Sequence, residues 1–76
     1  MDIKQRAARA RALLADENFR TVIDELRDEQ VKIFLNSGST DSEIREEAHS
    51  IVSALSKIEG RLQSAITDEK IFEKRK

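Results

Sequence analysis

The only histidine of the chain, His49, follows Glu46 by three residues. On a helix this spacing stacks a carboxylate and an imidazole on adjacent turns, the Glu-x-x-His arrangement with which helical bundles hold paired iron ions. Two copies of the chain, with Glu25 or Glu29 added, would supply enough ligands. The apolar positions of the same segment run through Ala48 and Ile51, however, which turns Glu46 and His49 to the outer side. The pair therefore reads as solvent-exposed, and no metal site or cofactor is expected. With no cysteine, thiol catalysis, disulfides and thiolate zinc sites are excluded. Ser37, Ser39 and Ser42 belong to a turn, and no serine can be paired with an activating base from the sequence. The expectation is a protein that is not an enzyme.

The second group with chemical potential is cationic. Lys4, Arg6, Arg9 and Arg11 stand against Asp2, and Lys70, Lys74, Arg75 and Lys76 against Glu73, so each end of the chain carries a balance of +3. Residues 16–35 balance to −3 and residues 36–69 to −4. A basic end set by Arg6, Arg9, Arg11, Lys70, Lys74 and Arg75 would attract an acidic partner, nucleic acid included. Support for nucleic acid is thin: the chain has no Trp or Tyr to stack on bases, its three Phe fall in apolar stripes, and its pI is near 5.8.

These groups must be positioned by helices. Proline is absent, glycine occurs at two positions only, and 38% of the 76 residues are charged. No apolar run approaches the roughly 20 residues that span a bilayer, and the basic first fifteen residues lack a signal-type apolar stretch. Residues 36–40 form the one clear interruption, where Gly38 can adopt positive φ and Thr40 with Glu43 fits a capping box. The second arm, 41–75, carries a heptad seam: Ile44, Ala48, Ile51, Leu55, Ile58, Leu62 and Ala65. The seam fails at Glu69, and Thr67-Asp68 could cap a separate last turn. The first arm, 2–35, has one stripe through Ile3, Ala7, Ala10 and Leu14 and another through Phe19, Ile23, Leu26 and Ile33. The five-residue step from Leu14 to Phe19 rotates the apolar face, so a kink or break is expected near Asp16, a good N-cap.

The expected fold is a single all-α domain over 1–76, an antiparallel two-helix hairpin with a kink or break near residue 16. Val22, Val31, Phe34 and Leu35 widen the first arm's apolar face beyond what one helix covers. A chain this short also has little core of its own, so oligomerisation is expected. The expected protein-interface residues are Phe19, Ile23, Leu26, Phe34, Ile51, Leu55, Ile58 and Leu62.

One resemblance adds a setting. The run Arg11-Ala12-Leu13-Leu14-Ala15-Asp16-Glu17-Asn18-Phe19, then Leu26, a polar linker, an amphipathic helix and Leu62-Gln63-Ser64-Ala65-Ile66-Thr67-Asp68-Glu69-Lys70, resembles a group of small helical proteins of tailed bacteriophages and prophages. That group has approximately Arg-Ala-x-x-Leu-Leu-x-x-x-x-Phe and ends in Leu-x-x-x-x-x-Asp-Gly-Lys. Here Glu69 replaces the usual glycine, and the proline common before the Phe is missing. Because such proteins tend to be encoded among head-morphogenesis genes, the resemblance implies a virion structural or capsid-assembly role, in the virion or host cytoplasm. The partners it implies are copies of the chain itself or head, portal and connector proteins. A nucleic-acid-associated packaging helper and a small regulator or inhibitor of a host protein are the alternatives. No membrane association is expected.

Overall fold

The computed structural model describes residues 2–75. Lys76, part of the basic tail identified above, lies outside the described residues. The chain is all-α, with three helices and no strand among the described residues: α1 (Ile3–Ala15), α2 (Glu17–Asn36) and α3 (Ser42–Lys74). The expected two-helix hairpin is therefore corrected to three helices: of the kink or break expected near residue 16, the structure has the break.

The break is one residue wide. Asp16, at φ −75° and ψ 117°, leaves the helical region, ending α1 and starting α2. Its N–H donates to the Leu13 carbonyl at 3.1 Å, and its carboxylate accepts from the Phe19 N–H at 2.9 Å. One side chain thus satisfies a donor that the new helix would leave bare. The reset also resolves the five-residue step: Leu14, Phe19 and Ile23 line a common hollow with Glu59 of α3. At the start of α1 a capping box forms between Asp2 and Gln5. The Gln5 N–H donates to Asp2 Oδ1 at 2.7 Å, and the Asp2 N–H donates to Gln5 Oε1 at 3.4 Å.

Thr40 and Glu43 do not form the expected capping box. The N-cap of α3 is Asp41, without a side-chain cap bond; its carboxylate instead accepts from the Gly38 N–H at 2.9 Å, inside the turn. Gly38 does not have positive φ. The turn is closed by this backward contact from Asp41 to Gly38, by the Ser37 hydroxyl donating to the Phe34 carbonyl at 2.7 Å, and by Arg45 over the Phe34 ring at 5.0 Å. Nor does Thr67-Asp68 start a separate turn, since α3 runs unbroken through it.

Both α1 and α2 pack against α3 and touch each other little beyond their junction. Arg11 pairs with Glu69, Arg27 with Glu59, and Phe34 lies beside Ala48, so partners on α3 move back along the chain as the first arm advances. The first arm is antiparallel to α3. A 33-residue helix is about 50 Å long, which accounts for most of the 56 × 24 × 18 Å rod.

The core is a seam of small residues. Ala7, Ala10 and Ala48 are almost fully covered, Ile23, Leu55, Ala65 and Ile66 are buried, and among the described residues no large side chain is fully enclosed. Ala10, Ala65 and Ile66 pack together as a cluster, with Leu14 and Leu62 against them. Small residues at the crossing let helices approach closely but leave larger neighbours at the rim half wet.

Candidate interaction surfaces

The heptad seam of α3 divides into two rows with different fates. Ala48, Leu55, Leu62 and Glu69, each seven residues from the next, face the first arm; three of the four are buried and Leu62 is half-buried. The seam does not fail at Glu69, as the sequence suggested. That carboxylate occupies a seam position at 7% exposure because Arg11 reaches it from α1. The second row, Ile44, Ile51, Ile58, Ala65 and Phe72, borders the first; Ile44, Ile58 and Phe72 are each more than two-fifths exposed.

Of the eight expected interface residues, Ile23 and Leu55 are buried inside the chain and Phe19, Ile51 and Leu62 are half-buried. Leu26, Phe34 and Ile58 remain exposed. Sequence periodicity finds apolar stripes but does not say which helix consumes them.

Exposed apolar residues of α2 and of the stretch of α3 facing it fall on two flanks of the α2–α3 layer. Gln30, Val31 and Phe34 meet Ala48, His49 and Val52 around a hollow of about 170 Å³, which defines one flank. Nine residues are two and a half helical turns, so positions nine apart lie on opposite sides. Val22 is nine from Val31, Ile58 nine from His49, and Arg61 nine from Val52. Val22, Leu26 and Ile33 of α2 therefore share the other flank with Ile51, Ile58 and Arg61 of α3. Towards α1 the same flank opens into a groove of about 440 Å³, floored by Ala10, Leu13, Leu62 and Ala65 and edged by Arg6, Arg9, Arg61 and Asp68.

The antiparallel packing brings both cationic segments to one end of the rod, but not into one patch. Arg11 is engaged by Glu69. Arg61 and Lys70, nine residues apart, lie on opposite sides of α3, and Lys74 follows Lys70 by one turn. Arg75 is the C-cap residue of α3, where its backbone N–H donates to the Phe72 carbonyl at 3.2 Å. The cations that converge are Arg6, Arg9 and Arg61; the last was not among the residues singled out from sequence, because it lies far along the chain from the first two. Arg11–Glu69 and Arg27–Glu59 were likewise missed, since their partners are 58 and 32 residues apart. Arg27 also reaches Asp24 at 3.6 Å, one turn away.

Glu46 and His49 are both exposed, and they edge a shallow hollow with Phe34, Ser42 and Arg45. Glu25 and Glu29 are exposed on α2. Among the described residues no three His, Cys, Asp or Glu side chains gather closely enough to hold a metal ion. Nor is any described helix long and apolar enough to cross a membrane. The chain matches no protein-family model, no curated protein and no solved structure.

Proposed function

We propose that this chain is a non-enzymatic assembly protein that works by helix–helix contacts with copies of itself. The observation that carries this reading is the incompletely buried row Ile44, Ile51 and Ile58 beside Val22, Leu26 and Ile33, next to a core that, among the described residues, fully encloses no large side chain. A monomer with so little interior and so much apolar flank gains from covering it. The likeness of the 11–19 and 62–70 segments to small tailed-phage proteins supports a place in virion structure or capsid assembly. The flank would then also serve contacts with head, portal or connector proteins, in the virion or the host cytoplasm.

Light scattering over a range of concentrations and two salt levels tests self-association. A closed oligomer of fixed mass is expected. A folded monomer throughout would reassign the flank to another protein, as a small regulator of a host protein would require. The phage setting is tested separately, by mass spectrometry of particles purified from a lysate of the source strain; absence of the chain from both precursor and finished particles removes it.

The groove edged by Arg6, Arg9 and Arg61 favours a second reading, a packaging helper that contacts nucleic acid phosphates. Its mark is DNA binding at low salt that falls steeply as salt rises and is lost when the three arginines become alanine.

A further inference from the structure

On α3, Ala54 has Glu47 seven residues before it and Arg61 seven residues after it. Seven residues are two turns, so the three share one side of the helix, at steps of about 10.5 Å. Ile51 precedes Ala54 by three residues and Ile58 follows it by four, which places both beside that row. Glu47, Ala54 and Arg61 are exposed, and among the described residues neither charge has an ion-pair partner within the chain. The flank is thus acidic on one side of Ala54, basic on the other, and apolar across the middle.

A surface with this layout is complementary to itself after a half-turn. We infer that the occupant of the flank is a second copy of the chain, docked antiparallel about a two-fold axis passing close to Ala54. In that arrangement Glu47 of each copy meets Arg61 of the other, and Ile51 meets Ile58. Ala54 lies against its own counterpart, where the small side chain lets the two helices approach closely. The α2 residues obey the same symmetry. Ile33 lies near the level of Ile51 and Leu26 near that of Ile58, because Phe34 sits beside Ala48 and Arg27 pairs with Glu59. A parallel pairing would set Glu47 against Glu47 and Arg61 against Arg61. One cost belongs to the antiparallel register: Glu29, on the α2 side close to the axis, faces its own counterpart.

This arrangement rests on the self-association reading above, and a charge-swap experiment separates the two. Glu47→Arg and Arg61→Glu are made singly and examined by sedimentation, alone and mixed. Each variant alone places like charges at two symmetric contacts, and its dimer is expected to weaken by about tenfold or more. Mixed one to one, they restore opposite charges at both contacts, and a heterodimer close to wild-type affinity is expected. Raising the salt should shrink both effects. With no native cysteine to interfere, Ala54→Cys should form a disulfide-linked dimer on mild oxidation, whereas Ser56→Cys, on the other flank, should not. Glu29→Gln should tighten the dimer. If both charge variants dimerise like the wild type, or Ser56→Cys links faster than Ala54→Cys, this register is overturned while self-association stands. If the wild type is monomeric at every concentration, both are overturned.

Discussion

Arg11 of α1 reaches across 58 residues of chain to hold the carboxylate of Glu69 on α3. The two ends of this pair differ in environment. The arginine side chain is about half exposed, whereas the glutamate sits in the helix–helix seam. A carboxylate there tolerates burial only because a cation meets it.

Removing the cation should therefore cost more than removing the pair. Arg11→Ala is expected to destabilise the fold by about 1–2 kcal/mol, discounted for the exposure of the arginine. Glu69→Leu, which completes the apolar row after Leu62 and frees Arg11 to water, should be neutral or stabilising. Urea unfolding of both variants at neutral pH checks the order; a Glu69→Leu protein less stable than Arg11→Ala would mean that the ion pair itself holds α1 in place.

The two rows of the α3 seam predict opposite consequences for one kind of substitution. Leu55→Asp buries a charge at a site only 6% exposed and should unfold the chain. Ile58→Asp, three residues on and 45% exposed, should leave helicity near wild type while abolishing self-association. Circular dichroism and light scattering on the same samples distinguish them.

Asp16 ends one helix and caps the next. Asp16→Ala should cost about 1 kcal/mol through loss of the bond from the Phe19 N–H. Asp16→Asn keeps an acceptor there and should lose much less. Thermal melts of the pair test whether the carboxylate acts through hydrogen bonding or through charge.

Gly60 lies inside α3, and apart from its chain neighbours and the adjoining helix backbone no described atom stands within 4 Å of where a Cβ would be. It does not mark a close crossing within the chain, and it lies away from the flank that carries Ile58. Gly60→Ala should stabilise the protein by about 0.5–1 kcal/mol, mainly by restricting the unfolded chain. An unchanged or lowered melting midpoint would point to something outside the chain pressing on that site.

The parts of the fold visible in the sequence are those set by local chemistry. The apolar period of α3, the interruption around Gly38 and the discontinuity at Asp16 each depend on residues within a few positions of one another. What escaped depends on residues that meet only after folding. Glu69 looked like the end of a seam because its partner, Arg11, stands at the other end of the chain. The Thr40–Glu43 box failed because α3 takes Asp41 as its N-cap, one residue later than that box requires, a shift that spacing does not decide. Arg61 joined Arg6 and Arg9 for the same reason that Glu69 found Arg11. Of the candidate interface, the stripes were legible, but the division between Leu55 inside and Ile58 outside needed the position of the first arm.

The alanine seam also bears on how the protein responds to heat. Because its most deeply covered side chains are single methyl groups, unfolding an isolated copy exposes little new apolar surface for the length of chain. Its heat-capacity change should be small, and its stability curve broad, shallow and low. Association would deepen that curve by burying the isoleucine row, so the melting midpoint would climb with protein concentration. For such a chain, abundance sets thermal tolerance.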